Sequence, residues 1–307
     1  MTEPYADQTC HRGRFAPSPT GPLHLGSLVA ALGSYLNIRR TAGVWLVRID
    51  DIDQPRSVPG IDQQIIDTLA LHGLESDEPV RYSSQRLNDY EAAYASLEKL
   101  DHLFPCCCSR RQVRHSQTGI GDTLIYNGNC RNGILSTSVI RSYRVRVPDA
   151  PITFKDHLQG IQTDSLSASV GDFVVRRVDG QFAYQLATVV DDQLQQITEV
   201  VRGNDLLPST GRQILLQRLL GYHQPEYFHL PVVTNQQFEK LSKQQGAPPI
   251  DGSRASDNLV LALELLKQSP PPILALENPS TILKWAIKHW HSGAITMTPL
   301  VTLTTES

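Results

Sequence analysis

Residues 14–27 read Arg14-Phe15-Ala16-Pro17-Ser18-Pro19-Thr20-Gly21-Pro22-Leu23-His24-Leu25-Gly26-Ser27, and the predicted fold is organised around this stretch. Its prolines and glycines prevent regular structure, and the apolar run 28–32 follows at once with the pattern of a buried helix. We predict that Ser27 caps this helix. Because a helix start presents unpaired N–H groups and partial positive charge, the stretch predicts an anion site. An ordinary proline-rich loop before a helix is the alternative.

Two residues of this stretch suit a nucleotide in particular. His24 supplies an imidazole donor, and Gly26 lacks a Cβ, so that a phosphate or a ring can approach the backbone closely. The stretch therefore predicts phosphate handling.

An acidic run follows the first predicted strand. Residues 44–49 are apolar and lead directly into Asp50-Asp51-Ile52-Asp53. In open α/β sheets ligands bind beyond the carboxyl ends of strands, so we predict that the acidic run and the stretch 14–27 face one crevice. A solvated acidic loop is the alternative.

Length and composition limit the class of protein. The 307 residues allow two domains or one large α/β domain with additions, and 40% of them are hydrophobic. No apolar run approaches about 18 residues and no secretory pattern is present, so we predict a cytoplasmic protein. The net charge of −3 gives no overall attraction to nucleic acid, so an RNA partner needs a local basic patch. The candidates for such a patch are Arg110, Arg111, Arg114 and Arg131.

Hydrophobic periodicity predicts both strands and helices. Strands are predicted over 44–49, 142–147, 186–190, 197–201 and 227–233, with a hairpin over 173–184 that turns at 179–180. Helices are predicted over 59–74, 85–100, 211–220, 259–267 and 282–290, the last two capped by Asp257 and Ser280. We expect the helices to pack on a sheet.

The segment 104–133 interrupts this pattern with cysteines and glycines and has little to form a core of its own. Cys106 and Cys108 can face one side of an extended strand, and Cys130 can add a third thiolate to a tetrahedral zinc site. The nearby candidates for a fourth ligand are Tyr126, His115 and Asp122. Such a thiolate-rich site is expected to be structural, and buried free cysteines are the alternative.

A basic loop follows the last predicted strand and reads Glu239-Lys240-Leu241-Ser242-Lys243-Gln244. Two lysines three positions apart, with a hydroxyl between them, can hold phosphate oxygens. A charge run is more often a solvated face, which is the alternative here.

The stretch 17–27 and the loop 240–244, in this order and far apart, together resemble the two signatures of class I aminoacyl-tRNA synthetases. Further segments narrow the resemblance to the catalytic domain of glutamyl-tRNA synthetase, over residues 12–246. These segments are 14–18, 48–53, 171–173, 184–187, 191–192 and 201–207. The resemblance implies an α/β, Rossmann-like catalytic domain with a parallel sheet, a small zinc-binding insertion and a short helical C-terminal part.

The resemblance also implies a division of the chain into five parts. The expected parts are a leader (1–11), the first half of the catalytic domain (12–103), a zinc-containing insertion with connecting strands (104–170), the second half with the lysine loop (171–246), and a short helical region (247–307). No anticodon-binding domain is expected in the last part.

This short form resembles those members of the family that activate L-glutamate with ATP and attach it to the queuosine base in the anticodon loop of tRNA(Asp). A shortened glutamyl- or glutaminyl-tRNA synthetase that charges a tRNA 3′ end is one alternative. The others are a non-catalytic RNA-binding paralogue and a small-molecule adenylating ligase. We expect a monomer without membrane attachment.

The motifs of the family assign roles to individual residues. Glutamate binding is implied for Arg14, Phe15, Ala16, Pro17, Ser18, Asp50, Tyr184 and Arg202. ATP binding is implied for His24, Gly26, Ser27 and Lys243, with Mg²⁺ accompanying ATP, and catalysis is implied for His24, Lys240 and Lys243. The implied zinc ligands are Cys106, Cys108, Tyr126 and Cys130, which leaves Cys107 as an extra cysteine.

Asp50 departs from the family's pattern, because glutamate, one methylene longer, is common at this position. A contact from Asp50 to the amine of the substrate must therefore lengthen, recruit water or shift the backbone.

Overall fold

The chain folds around one large sheet in the computed structural model, which describes residues 10–115, 125–234, 248–296 and 300–302. The strands in these ranges are β1 (Arg12–Phe15), β2 (Val44–Ile49), β3 (Arg81–Tyr82), β4 (Leu103–Cys106), β5 (Ser142–Val145), β6 (Ile152–Asp156), β7 (Gly160–Asp164), β8 (Val174–Arg177), β9 (Glu199–Gly203), β10 (Glu226–Leu230), β11 (Val232–Thr234) and β12 (Leu300–Thr302). The helices are α1 (Leu25–Arg39), α2 (Ile61–Leu71), α3 (Leu87–Lys99), α4 (Arg110–His115), α5 (Leu166–Ser169), α6 (Tyr184–Leu194), α7 (Leu207–Leu220), α8 (Ala255–Leu265) and α9 (Pro279–His289).

The large sheet has the strand order β3-β2-β1-β9-β10-β6-β7. Its neighbouring strands are parallel, except that β6 and β7 are antiparallel. Strands β4, β5 and β8 form a separate antiparallel sheet that leads into the cysteine segment. The predicted Rossmann-like α/β fold with a parallel sheet is therefore confirmed.

Alternate residues of the central strands are buried in two different cores, because successive side chains of a strand point to opposite faces of the sheet. In β2, Trp45 and Val47 pack with α1, α8 and α9, whereas Leu46 packs with α3, α6 and α7. Val200 and Val201 of β9 separate in the same way. Helices thus cover both faces, which a parallel sheet needs in order to bury its backbone. Among the helices of the described ranges, none is long and apolar enough to cross a membrane.

Most of the predicted elements are present. The helices predicted over 59–74 and 85–100 correspond to α2 and α3, and the strand 44–49 is β2. The strand predicted over 227–233 divides into β10 and β11 at Pro231, because proline cannot donate to the ladder. The predicted hairpin also turns at Gly180, where φ is 86°, although its return is a single bridge from Arg176 to Phe182.

The strand predicted over residues 186–190 is wrong, because these residues lie in helix α6. Every residue from 185 to 192 is buried, since α6 packs against α3, α7 and β8. A continuous apolar run does not distinguish a buried strand from a buried helix, and the neighbouring elements decide between them.

The cap predicted for α1 is also wrong. The helix begins at Leu25, and His24 is its N-cap residue: the Nδ1 atom of His24 accepts a hydrogen bond from the Ser27 N–H at 3.3 Å. Ser27 therefore lies inside the first turn.

The two caps predicted near the C-terminus are wrong for the same reason, because each helix begins earlier in the sequence than predicted. Helix α8 begins at Ala255, so Asp257 lies within it, and its carboxylate pairs with Arg254 at 3.0 Å. Asn278 caps α9 in place of Ser280, by accepting from the Thr281 N–H at 2.9 Å. Both helices begin about one turn before the apolar residues on which the predictions were based, and their first turns are partly exposed.

Gly171 lies where the cysteine segment meets the start of β8. It has a φ of +69°, and a Cβ at this position would overlap the backbone oxygen of Tyr126. Gly180 has a φ of +86° but open space around it.

We predict that Gly171→Ala lowers the free energy of unfolding by about 2–4 kcal/mol and Gly180→Ala by about 1 kcal/mol. Both alanines adopt a left-handed conformation, but only the first also collides with backbone. Urea unfolding of the two variants measures the difference, and equal losses would contradict this account.

Candidate active site

A cavity of about 330 Å³ opens at the carboxyl ends of β1, β2 and β9. It is lined by every residue predicted to contact glutamate and by the described residues predicted to contact ATP. These residues are Arg14, Phe15, Ala16, Pro17, Ser18, His24, Gly26, Ser27, Asp50, Tyr184 and Arg202. Lys240 and Lys243, the remaining predicted site residues of this group, lie outside the described residues. The fold thus brings together positions that are up to 188 residues apart in the chain.

The stretch 14–27 runs from β1 along one wall of the cavity to α1. Backbone hydrogen bonds tie it to the segment after β2: Asp50 N–H donates to the Pro17 oxygen at 3.0 Å, and Val58 N–H donates to the Pro19 oxygen at 2.9 Å. Because His24 accepts through Nδ1, the proton of its neutral ring lies on Nε2. This wall of the cavity ends at the N-terminus of α1, where unpaired backbone N–H groups favour an anion.

Arg14 is held in the cavity wall by a buried carboxylate. Its Nε and Nη2 atoms donate to the two oxygens of Asp192 in α6, at 3.0 and 3.3 Å. Arg48 of β2 contacts the same carboxylate through Nη2 at 2.8 Å and donates from Nη1 to Gln195 at 2.7 Å. Burial alone raises the pKa of Asp192, but the two guanidinium groups overcome this and hold its pKa below the usual range. Asp192 thus orients two arginines and balances part of their charge.

Asp50 is the residue of the acidic run 50–53 that lines this cavity. Asp51 instead accepts from the Ser84 N–H and hydroxyl at 2.7 and 2.6 Å, and Asp53 pairs with Arg56 at 2.5 Å. Burial raises the pKa of Asp50 to about 6, although the charge of Arg48 opposes the shift. The carboxylate of Asp50 is therefore available to a ligand and gains from a cationic one.

Arg202 of β9 is 5% exposed and lines the cavity. In the sheet, β1 lies between its strand and β2, the strand that leads into Asp50. Its Nε donates to His229 Nε2 at 3.0 Å and its Nη2 donates to the Thr210 hydroxyl at 2.8 Å. Its Nη1 is buried and has no hydrogen-bond partner in the described part of the protein. Burial lowers the pKa of Arg202, so an anion that enters the cavity would relieve an unfavourable charge.

A second cavity, of about 1050 Å³, adjoins the first and shares Ser18, Thr20, Asp50 and Tyr184 with it. It extends to the cysteine segment and is rich in arginine. The arginines that line it are Arg56, Arg110, Arg141, Arg144 and Arg177. Of the four arginines predicted to form a basic patch, Arg110 borders this cavity, whereas Arg131 forms an ion pair with Asp172.

Three cysteines meet at the far end of the second cavity. The sulfur atoms of Cys106, Cys108 and Cys130 lie within 4.8 Å of one another, close enough to hold one metal ion. The Tyr126 hydroxyl is 3.6 Å from Cys106 Sγ and accepts the Cys130 N–H at 2.7 Å. Cys107 Sγ is also 3.6 Å from Cys130 Sγ, while Asp122 and the side chain of His115 lie outside the described part. The cluster matches the predicted cysteine set, and the geometry brings both Tyr126 and Cys107 close to it.

Sequence reasoning gave no role to several residues that shape the first cavity. Asp192 belongs to the family segment 191–192, and its signal in the sequence is an acidic pair that directly follows an apolar run. His229 lies in the predicted strand 227–233, whose pattern indicated only burial, and Asp156 ends a strand that was not predicted. The register of the sheet brings both residues to Arg202.

Comparisons with known proteins agree with this site. The family model described as tRNA synthetases class I (E and Q), catalytic domain, matches residues 11–264. A protein of Dechloromonas aromatica named glutamyl-Q tRNA(Asp) synthetase is 48% identical over 99% of both chains, and one of that name from Aromatoleum aromaticum is 49% identical over 91% of this chain and 88% of its own. The crystal structure of a glutamate tRNA ligase from Elizabethkingia meningosepticum in complex with its amino acid superposes with a TM-score of 0.79, at 25% identity, over 96% of this chain and 67% of its own.

The cavity at the strand ends, the match of the family model and the near full-length relatives all agree. The chain therefore belongs to the class I aminoacyl-tRNA synthetases for glutamate and glutamine, within the group of ligases named glutamyl-Q tRNA(Asp) synthetase.

Proposed function

We propose that this protein activates L-glutamate with ATP to glutamyl-adenylate and transfers the glutamyl group to the queuosine base in the anticodon loop of tRNA(Asp). One observation carries the first half of the proposal: the cavity contains a buried guanidinium, that of Arg202, with an unpartnered N–H group. The names of the full-length relatives support the choice of tRNA(Asp).

Glutamate carries two carboxylates and one ammonium, and the cavity offers groups of opposite charge. Arg202 and Arg14 are the proposed carboxylate readers, because a guanidinium fork matches a carboxylate. Asp50 is the proposed partner of the ammonium, and Tyr184 with the backbone of 15–18 completes the pocket. A neutral analogue such as glutamine would leave a buried guanidinium without its anion, which supports selection of glutamate.

The proposed nucleotide site begins at the start of α1. His24, Gly26 and Ser27 would meet the phosphates there, where the N–H groups of the first turn attract anions. Lys240 and Lys243 are proposed to stabilise the departing pyrophosphate, and Mg²⁺ would arrive with ATP.

The chemistry proceeds in two displacements. An oxygen of the glutamate α-carboxylate attacks the α-phosphorus of ATP, and the bond from this phosphorus to the bridging oxygen breaks to release pyrophosphate. A hydroxyl of queuosine then attacks the activated carbonyl carbon, AMP leaves with the bonding electrons, and the hydroxyl proton passes to an oxygen of the AMP phosphate. The protein contributes mainly by positioning two anions that repel each other and by stabilising phosphate charge.

The second cavity is the proposed route of the acceptor nucleotide. It opens into the first cavity beside Asp50 and Tyr184, and its arginines supply the local basic patch that a chain of net charge −3 needs for RNA.

We also propose that the protein works as a cytoplasmic monomer.

The three-cysteine cluster is the proposed site of one structural zinc ion. Its sulfur donors suit zinc, and the phenol oxygen of Tyr126, which touches Cys106, fits as the fourth ligand. Zinc would then fix Cys106 at the end of β4 to Cys130, and so hold this segment closed.

We expect labelled glutamate to be attached to tRNA(Asp) that carries queuosine and not to tRNA(Asp) that carries guanosine in its place. Removal of the 3′-terminal adenosine from the modified tRNA should leave the labelling unchanged. Labelling that survives loss of queuosine but requires the 3′ adenosine would instead identify an enzyme that charges the 3′ end. Glutamate-dependent ATP–pyrophosphate exchange, run beside it, would be absent in a non-catalytic paralogue.

Asp50 should give glutamate activation a characteristic pH dependence. Because its raised pKa of about 6 keeps part of the population neutral at lower pH, kcat/KM for glutamate should rise with pH through this value and level off above it. At one pH unit below the pKa we expect about a tenfold loss. The Asp50→Asn variant should lose this limb of the profile, whereas Asp53→Asn, from the same loop, should keep it; an unchanged limb in Asp50→Asn would reject the role of Asp50.

The zinc ligands can be separated by three matched variants. We expect about one zinc per chain by elemental analysis of the wild-type protein and of Cys107→Ser, and a marked loss of zinc from Cys130→Ser and Tyr126→Phe. Loss of zinc from Cys107→Ser together with retention in Tyr126→Phe would identify Cys107 as the fourth ligand.

A further inference from the structure

Three neighbouring strands place an acid, an imidazole and a guanidinium in one line. Asp156 ends β6, His229 lies in β10, and Arg202 lies in β9. In the parallel ladder between β9 and β10, Arg202 and His229 are direct register partners, so their side chains stand side by side on one face of the sheet. Strand β6 pairs with the other edge of β10, which brings Asp156 beside His229.

The contacts fix the protonation of His229. Its Nδ1 lies 2.5 Å from Asp156 Oδ2, and both residues are completely buried. Its Nε2 faces the Nε–H of Arg202, and a guanidinium can only donate. His229 must therefore accept at Nε2 and carry its single proton on Nδ1, which donates to Asp156. Burial lowers the pKa of His229, which agrees with a neutral ring.

Asp156 is built to remain an ionised acceptor. Its Oδ1 accepts backbone N–H groups from Leu158, Gln159 and His229 at 2.9, 2.8 and 3.3 Å. These donors and His229 overcome the effect of burial and hold the pKa of Asp156 below its usual range. The acid is therefore saturated by donors and cannot turn towards another partner.

Thr210 of α7 closes the arrangement. Its hydroxyl accepts from Arg202 Nη2 at 2.8 Å and can donate to His229 Nε2 at 3.3 Å. Two of the three nitrogens of the guanidinium are thus fixed, and the third, Nη1, is the buried one without a partner. Arg202 lines the first cavity, and among the described residues none accepts a hydrogen bond from Nη1.

The two arginines proposed as carboxylate readers are supported in opposite ways. Arg14 contacts the carboxylate of Asp192 directly, which offsets its charge. Arg202 touches neutral partners, and among the described residues no carboxylate forms an ion pair with it. Arg202 contacts the uncharged imidazole of His229, and this imidazole in turn contacts the carboxylate of Asp156. The positive charge of Arg202 therefore remains available to an anion in the cavity.

We propose that Asp156 and His229 are positioning residues for Arg202, which hold its guanidinium for a carboxylate of the substrate without placing a carboxylate of the protein in contact with it. This inference rests on the proposed activation of glutamate, because it assigns the occupant of Nη1. A carboxylate in place of His229 would position the arginine equally well but would compete with the substrate for its charge.

The test compares steady-state ATP–pyrophosphate exchange in paired variants. We expect His229→Leu to raise KM for glutamate by about 10- to 100-fold, the effect of losing a hydrogen bond to a charged group, with KM for ATP unchanged. Asp156→Asn should raise the same KM because it no longer imposes the Nδ1–H tautomer. His229→Gln should lie between wild type and His229→Leu, because its amide oxygen can accept from Arg202. The preference for glutamate over glutamine should fall from wild type to His229→Gln and further to His229→Leu.

The matched control is His72→Leu. His72 is also completely buried and engages both ring nitrogens, with the Thr68 oxygen at 2.7 Å and the Asn258 amide at 3.1 Å, but it does not line the cavity. It should lower thermal stability, as His229→Leu does, without changing either KM. An equal rise of KM for glutamate in both leucine variants, or no rise in folded His229 and Asp156 variants, would overturn the inference.

A second measurement needs no variant. Nitrogen-15 NMR of the histidine rings in the wild-type protein should show His229 neutral with its proton on Nδ1 at neutral pH, with resonances that shift when glutamate is added. A proton on Nε2, or no response to saturating glutamate, would overturn the inference even if every variant failed to fold. Absence of glutamate-dependent exchange in the wild type would reject the proposed function instead, and a proton on Nδ1 would still verify the geometry of the pair.

Discussion

The buried ion-pair cluster around Asp192 is the interaction on which the rest of the site depends. It joins β1 through Arg14, β2 through Arg48 and α6 through Asp192. Asp191, the next residue, lies 3.6 Å from Arg48 and accepts from Ser83 at 2.8 Å. Charges this deeply buried persist only when they are paired, and removing one partner typically costs about 3–5 kcal/mol. The cluster therefore fixes the relative positions of the elements that form the cavity wall.

The same cavity contains guanidinium groups in two electrostatic states. The guanidinium of Arg14 contacts a carboxylate that offsets its charge, whereas that of Arg202 donates to two neutral acceptors. A binding site for an anion needs both rigid positioning and residual positive charge, and a direct carboxylate contact supplies the first while reducing the second. Support through an imidazole separates these two requirements. This arrangement explains why a buried nitrogen without a partner is tolerated next to a well-ordered network.

The cysteine segment, residues 104–133, borders the second cavity and is attached to the antiparallel sheet of β4, β5 and β8. Arg144 of β5 donates from Nη1 to the backbone oxygen of Asp172 at 2.8 Å, and its Nε lies 3.2 Å from Cys106 Sγ. Its guanidinium carbon lies 3.9 Å from the centre of the Tyr126 ring. One side chain thus touches the cysteine cluster, the start of β8 and the wall of the second cavity. The position of Gly171 against the Tyr126 backbone tightens the same junction. The cysteine cluster and the wall of the second cavity therefore share the side chain of Arg144.

The sequence by itself determined the features that depend on local pattern. The proline and glycine content of 14–27, the apolar strand 44–49 that leads into Asp50, and the cysteine spacing each carry their own signal, and the order of the motifs identified the family. Local pattern also placed most helices, but it assigned 186–190 to a strand, because a segment buried on all sides has lost the periodicity that distinguishes the two. It also chose Ser27 as a cap, since it could not show that the helix begins a turn earlier at Leu25.

Only the tertiary structure decided which charged groups meet. Asp192 reaches Arg14 across 178 residues, and His229 reaches Asp156 across 73 and Arg202 across 27. The two pairings of His229 follow from the order and register of parallel strands, in which neighbours in space are separated by whole helices in the chain. No local pattern encodes such a register, so the residues that line the cavity could be expected from the sequence, whereas the residues that hold them in place could not.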